Sequence, residues 1–247
     1  MTEFAHDNII PYKDSNLSKK KQVETMFDRI AFRYDFLNRF LTAGVDVWWR
    51  KKLISQLKDA QPQNILDVAT GTGDVALLTY KLLKPKQITG IDISEGMLQL
   101  GREKIKKAGL QNIVQLMNAD SENLPFEDAT FDAITVAFGV RNFEHLERGL
   151  TEMLRVLKPG GRLAVLEFSQ PKNKLFRTLC NFYNNIIVPG AGRLFAKNKE
   201  AYNYLNHSAK AFPEREKFVS ILASVGYQKV FYKQLSLGIC CRYGATK

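Results

Sequence analysis

The sequence predicts an α/β fold: a mostly parallel, seven-stranded sheet with helices on both faces and a C-terminal antiparallel hairpin. Three observations predict it. Short apolar segments alternate with helical ones between residues 64 and 168. The connections between them are short and rich in glycine, proline and capping residues. The chain then closes on two strand-like segments, 227–234 and 236–243. Alternation with short connections favours parallel strands covered on both faces, because each crossover lays a helix on the sheet.

Each element has its own signal. The first 22 residues are polar, carry Lys19-Lys20-Lys21, and read as a mobile arm. From Val23 to Leu57 the pattern is helical and aromatic, with a break near Ala43-Gly44. Asn64–Ala69 is a short apolar strand, and Val75–Leu83 a helix ended near Pro85. Gln87–Asp92 is the second strand. Ser94–Ala108 is a helix with Ser94 as N-cap and Gly109 as its stop. Ile113–Met117 and Phe131–Ala137 are the third and fourth strands. Glu147–Leu157 is a helix stopped by Pro159-Gly160-Gly161, and Arg162–Phe168 is the fifth strand. Residues 171–206 break the alternation with Phe176, Phe182, Tyr183, Phe195, Tyr202 and Tyr204, and read as an insertion or lid over a pocket. Pro213–Val225 is a further helix, stopped by Gly226.

Composition bounds the function classes. A chain of 247 residues with 45% hydrophobic content is a single globular domain by expectation. No apolar run approaches the roughly 18–20 residues that span a bilayer. Residues 1–7 lack a secretory pattern, so a cytoplasmic protein is expected. Cys180, Cys240 and Cys241 form no disulfide framework. His6, His145 and His207 lie far apart, and no cluster has metal-ligand spacing. The net charge of +11 suits solubility or an anionic surface. No helix-turn-helix, zinc or RNA-stacking signature accompanies it, so no nucleic acid is expected. Oligomeric state is left open, a homodimer included.

The chemistry begins at Asp67-Val68-Ala69-Thr70-Gly71-Thr72-Gly73-Asp74, between the first strand and its helix. Glycine there permits positive φ and close approach of a ligand to the backbone. Asp92 ends the next strand, where a carboxylate accepts both ribose hydroxyls of an adenosine. The same letters also satisfy a dinucleotide fingerprint, which keeps a nicotinamide-dependent oxidoreductase in play. Asp67 and Asp74 would repel a pyrophosphate. Asp120-Ser121, after the third strand, offers acceptors for an adenine amino group. These features imply a cationic sulfonium amino acid joined to adenosine, without phosphate.

Asp67–Asp74, Asp120–Phe126, Phe131-Asp132 and Leu157–Gly161 resemble the class I, Rossmann-like methyltransferases. More narrowly, the chain resembles the quinone-biosynthesis C-methyltransferases, the UbiE/MenG family. That resemblance rests on Tyr34-Asp35-Phe36-Leu37-Asn38, Trp48-Trp49, Phe138-Gly139-Val140-Arg141-Asn142, Arg155–Gly161, Leu166–Ser169, Ala201–Leu205 and Phe212-Pro213. It implies S-adenosyl-L-methionine as cofactor, with Gly71, Thr72, Asp92, Asp120 and Ser121 as contacts. It also implies C-methylation of a polyprenyl quinol, with Arg141, Asn142 and Tyr34 on the acceptor side. Ala137 stands where some ubiquinone-pathway members have serine, which favours demethylmenaquinol over a 2-methoxy-6-polyprenyl-1,4-benzoquinol. Val45-Asp46 replaces the Gly/Ile-His of many members.

The implied reaction needs an electron-rich ring carbon in line with the methyl donor. Arginine stays protonated, so Arg141 is expected to stabilise a developing phenolate or to polarise a water. Asn142 is expected to orient the hydroxyl, and Tyr34 and Tyr204 to line the acceptor side. His145 and His207 read as surface histidines. A bilayer-borne quinol also implies transient contact with the inner face of the membrane, through residues 171–206 and the N-terminal arm.

Overall fold

The computed structural model describes residues 4–174, 178 and 199–247. Seven strands form one sheet in the order β3-β2-β1-β4-β5-β7-β6. They are β1 (Asn64–Val68), β2 (Gln87–Asp92), β3 (Val114–Asn118), β4 (Phe131–Ala137), β5 (Leu157–Phe168), β6 (Gln228–Leu235) and β7 (Cys240–Thr246). The first five run parallel, and β7 pairs antiparallel with both β5 and β6. The helices are α1 (Lys19–Leu41), α2 (Val45–Ser55), α3 (Asp74–Leu83), α4 (Glu95–Lys107), α5 (Leu146–Val156), α6 (Lys199–Ala211) and α7 (Glu216–Val225). The connection after β1 leads to β2 on one side, while β4 lies on the other. That divergence opens a crevice at the carboxyl ends of the strands, where open α/β sheets bind ligands.

Each face of the sheet has its own apolar layer. On one face, α5 buries Leu146, Leu150 and Met153 at helical spacing against Ile134, Val136 and Phe218. On the other, Trp49, Leu53, Ile54, Val75 and Leu98 cover Ile65, Ile88 and Ala133. A fully buried side chain of this size contributes about 1.5–3 kcal/mol. A third cluster joins Val23, Met26 and Ile30 of α1 to Met97 of α4 and Tyr204 of α6. It holds α1 as a roof across the strand ends.

Several boundaries differ from the sequence reading. The first helix begins at Lys19, because Ser18 caps it by accepting the Lys21 N–H at 3.3 Å. Parts of the first segment pack onto the molecule: His6 is fully buried, edge-on to Phe212 at 5.6 Å, and Pro11 is buried, while residues 16–18 are exposed. The fifth strand starts at Leu157, which pairs with Phe131 ahead of a register shift before Ala133. The last helix starts at Glu216, after Arg215 takes a left-handed φ of 57°. The closing hairpin turns through Ser236–Gly238, all at positive φ, so its second strand starts at Cys240. The Ser94 cap, accepting from Met97 N at 3.2 Å, and the left-handed Gly109 lie where the sequence places them. Phe176, Phe182, Tyr183 and Phe195 of the expected lid lie outside the described residues.

Candidate active site

The loop after β1 is built from strained and permissive backbone. Ala69, Gly71 and Gly73 all take positive φ, at 52°, 56° and 77°. Gly71 suits this conformation, which most side chains resist. Beneath the loop, buried Asp67 accepts hydrogen bonds from Thr70 Oγ1 and Thr135 Oγ1, each at 2.6 Å. Burial lifts its carboxyl to a pKa of about 6, against the pull of those two hydroxyls. At Gly139 a Cβ would stand 2.5 Å from the Ala69 Cβ, so glycine lets the end of β4 close against the loop.

Asp92, at the end of β2, ties the loop to α4. Its carboxylate accepts the Gly71 N–H at 2.8 Å and the Ser94 N–H at 2.9 Å. Burial raises its pKa to about 6, with the nearby Asp28 charge adding to the shift. An open cleft lies here, with Gly71, Asp92, Asp120, Ser121, Tyr34 and Asn142 in its wall. Residues that sequence reasoning passed over also line it, including Lys20, Phe27, Glu122, Phe138 and Glu144.

Helix α1 roofs this cleft with one face, formed by Lys20, Val23, Phe27 and Tyr34. Polar contacts pin it along its length. Lys20 Nζ reaches Asp120 at 2.7 Å and Glu122 at 3.2 Å. Asp28 accepts from Ser94 Oγ at 2.6 Å and Gly96 N at 2.9 Å, at the start of α4. Asp35 meets Lys104 at 2.5 Å and accepts from Thr72 Oγ1 at 2.7 Å. Arg39 reaches Asp74 at 2.9 Å and also pairs with Asp46. Burial works against ionisation of Asp74, but Lys104, Arg50 and Arg39 together hold its carboxyl below the usual range.

Two expected details resolve here. Thr72 is buried away from the cleft wall, its hydroxyl spent on Asp35 and Lys104. Asp46 is buried and pairs with Arg39 and Arg50, so the acid in the departing Val45-Asp46 pair braces the α1–α2 corner. His145 is exposed, with Nδ1 3.0 Å from the buried carboxylate of Glu122.

The residues read from the sequence for the acceptor side lie in and behind the same wall. Arg141, in the turn after β4, is 3% exposed and absent from the cleft wall. Its Nη1 lies 3.0 and 2.8 Å from the two carboxylate oxygens of Glu167, and its guanidinium lies over the Phe168 ring at 5.4 Å. Burial opposes the charge of Arg141, but Glu167 and the nearby tyrosines hold its pKa above the ordinary value. Burial pushes the Glu167 carboxyl up, against the pull of Arg141. Arg141 Nε is buried and has no hydrogen-bond partner among the described residues. Beside it, Tyr204 donates to Asn142 Oδ1 at 3.1 Å. Burial raises the pKa of both Tyr34 and Tyr204, so both are phenols at neutral pH.

The donor set fits a cationic, adenosine-bearing ligand. Asp92, Asp120, Glu122 and Glu144 face the cleft, and among the described residues Lys20 is the one basic side chain in its wall. Such a wall repels a pyrophosphate and attracts a sulfonium.

Comparison with known proteins agrees with this geometry. A family model described as the ubiE/COQ5 methyltransferase family matches residues 15–247. The demethylmenaquinone methyltransferase of Bacteroides fragilis is 47% identical over 244 residues, covering 99% of both chains. The ubiquinone/menaquinone biosynthesis C-methyltransferase of Geobacter sulfurreducens is 43% identical, covering 93% of this chain and 90% of its own. A SAM-dependent methyltransferase structure from Thermotoga maritima superposes with a TM-score of 0.62 at 21% identity, covering 91% of this chain and 99% of its own. At that identity the likeness establishes the fold alone.

Proposed function

The chain belongs to the ubiE/COQ5 methyltransferase family, and from that premise we propose that it methylates a ring carbon of a polyprenyl quinol, converting demethylmenaquinol to menaquinol. It is an S-adenosylmethionine-dependent methyltransferase. One observation carries the reading: an acid-walled cleft anchored by Asp92 and Gly71 shares its wall with Asn142, which adjoins the Arg141–Glu167 pair.

S-adenosylmethionine supplies an electrophilic methyl group on a sulfonium. Asp92 accepts the ribose hydroxyls, Asp120 and Ser121 accept the adenine amino group, and the open backbone at Gly71 admits the ligand. Thr72 serves through the loop, because its hydroxyl locks the loop to α1 and α4. The roof of α1 keeps water from the reacting atoms, which strengthens every charge interaction inside.

On the acceptor side, Arg141 stabilises the phenolate that develops as the ring hydroxyl loses its proton. It acts through its charge from behind Asn142, since it is buried and does not line the cleft. Arg141, Tyr34 and Tyr204 all hold their protons at neutral pH, so none of them is the base, and the proton passes through a water to bulk solvent as Arg141 stabilises the phenolate left behind. Asn142, braced by Tyr204, orients the hydroxyl, and Tyr34 bounds the ring. Positioning of this kind can remove roughly 7–11 kcal/mol of a bimolecular barrier.

Ala137 lies in the cleft wall and favours the naphthoquinol. The benzoquinol reading is kept by the joint ubiquinone/menaquinone name of the Geobacter relative. No helix of the described residues is long and apolar enough to cross a membrane. The enzyme therefore meets its bilayer-borne acceptor by transient contact at the cytoplasmic face.

The test is methyl transfer from isotope-labelled S-adenosylmethionine to each reduced quinone, read by mass spectrometry. Methylated naphthoquinol is expected. Cofactor binding without methylation of the naphthoquinol overturns the proposal.

A further inference from the structure

Glu122 follows Asp120-Ser121 in the loop after β3 and is 2% exposed. Its two carboxylate oxygens serve different parts of the molecule. Oε1 accepts the backbone N–H groups of Glu144 at 2.8 Å and His145 at 3.1 Å. Those residues continue the turn that carries Arg141 and Asn142 after β4. Oε2 accepts from Lys20 Nζ of α1 at 3.2 Å and lies 3.0 Å from His145 Nδ1. The main chain of Glu122 adds two more links. Its N–H donates to Asp120 Oδ1 at 2.9 Å, and its carbonyl accepts from Arg148 Nε of α5 at 2.9 Å. One residue therefore joins α1, the loop after β3, the turn after β4 and α5.

Burying a carboxylate costs free energy unless hydrogen bonds compensate. An apolar side chain of similar size would fill the space without that cost. What the carboxylate alone supplies is a pair of acceptors aimed in different directions. Lys20 also meets Asp120, but that pair is partly open to solvent, where ion pairs are weak. Glu122 is the buried partner, whose charge is screened less. Glu122 and Glu144 line the cleft together with Asp120, Ser121 and Asn142.

We propose that Glu122 is a positioning residue for methyl transfer. Through Oε1 it holds the turn bearing Arg141 and Asn142 in register with Asp120 and Ser121. Through Oε2 it anchors Lys20 and so closes α1 over that end of the cleft. This role rests on the reading that Asp120 and Ser121 hold adenine while Arg141 and Asn142 serve the acceptor. Methyl transfer needs donor and acceptor in line, and these two loops carry the groups that hold each. Glu122 itself acts only through the turn and through Lys20.

The substitution Glu122→Gln separates the two oxygens. Its amide oxygen can still accept from Glu144 and His145, but its nitrogen presents hydrogens to Lys20. Calorimetry reads S-adenosylhomocysteine affinity for the wild type, Lys20→Met, Glu122→Gln and the double variant. Each single change is expected to weaken binding about tenfold, the scale of one hydrogen bond to a charged group. The double variant is expected to bind no more weakly than either single, because both remove the same link. Turnover is read with a short-chain, water-soluble demethylnaphthoquinol. Glu122→Gln is expected to raise KM for S-adenosylmethionine and keep most of the wild-type kcat. Glu122→Ala is expected to lose about tenfold or more in kcat at saturating cofactor, because the turn is released.

Additive weakening in the double variant overturns the proposal, since Glu122 would then act on the ligand by charge alone. So does unchanged affinity in either single variant; with a lowered melting temperature, that is the mark of a merely structural residue. Wild-type kcat in a folded Glu122→Ala overturns it as well. If Glu122→Ala does not fold, the binding cycle still decides. Failure of the wild type to methylate the soluble quinol overturns the acceptor reading alone, because the binding cycle contains no acceptor.

Discussion

Arg141 and Glu167 form a buried ion pair, with Arg141 Nη1 3.0 and 2.8 Å from the two carboxylate oxygens. The arginine comes from the turn after β4 and the glutamate from the end of β5, so the parallel pairing of those strands brings them together. Replacing Glu167 with Gln leaves a buried arginine without its counter-charge. Removing one partner of such a pair costs about 3–5 kcal/mol. Urea unfolding checks this. Arg141→Ala is expected to lower kcat by about 100-fold or more, the scale of losing a donor to a developing oxyanion. Its affinity for S-adenosylhomocysteine is expected to be unchanged by calorimetry, since Arg141 lies outside the cofactor wall. Retained turnover would remove Arg141 from the mechanism.

Cofactor affinity is expected to depend on the ionisation of Asp92. Its pKa stands at about 6, and only the carboxylate can accept both ribose hydroxyls. Affinity for S-adenosylhomocysteine should therefore hold above pH 6 and fall as pH drops through that value. Asp92→Asn should bind weakly and show a flat profile. Calorimetry between pH 5 and pH 7.5, flanking the pKa of about 6, measures both.

Asp67 carries the complementary stability signal. Its folded pKa of about 6 lies above the ordinary 3.8. The folded state thus holds this proton more tightly than the unfolded chain does. The stability it adds is complete below pH 3.8 and is lost as pH rises through about 6. In the ligand-free protein, Asp67→Asn is expected to flatten that limb of the curve of stability against pH.

Gly139→Ala is expected to destabilise the protein by about 1–3 kcal/mol, through overpacking against the Ala69 Cβ. Because Ala69 belongs to the cofactor loop, affinity for the cofactor should fall with it. Normal melting and normal affinity together would mean that the close approach relaxes freely.

Tyr204→Phe removes the hydrogen bond to Asn142 Oδ1 and leaves the ring in place. A loss of about 1 kcal/mol in kcat/KM is expected, the usual net worth of one such bond. The cofactor dissociation constant should not move. A change in cofactor affinity alone would assign Tyr204 to the α1 roof.

Much of the candidate cleft wall was legible in the chain. Gly71, Asp92, Asp120 and Ser121 sit at strand ends, and strands of this kind announce themselves by short apolar runs followed by turn residues. Once the strands are parallel, their carboxyl ends must share one edge, so the motif residues converge. Asn142 reaches the wall on the same grounds, while Arg141 lies buried behind it. Where the Thr72 hydroxyl points was not legible, because the motif names a residue without its side-chain partners. Its hydroxyl is spent on Asp35 and Lys104, and both lie more than 30 positions away.

The sequence by itself determined the α/β class, a mostly parallel sheet, the loop at residues 67–74 and the methyl-donor chemistry. These follow from local rules: alternation, capping, positive-φ glycine and the charge of neighbouring acids. Only the tertiary structure decided that α1 is the roof of the site. Its contacts join Lys20 to Asp120, Asp28 to Ser94, and Asp35 to Thr72 and Lys104. The same packing set Glu167 against Arg141 and turned Phe32 outward. Such pairings depend on how helices and strands stack in space, and no periodicity in the chain encodes a contact between residues a hundred positions apart.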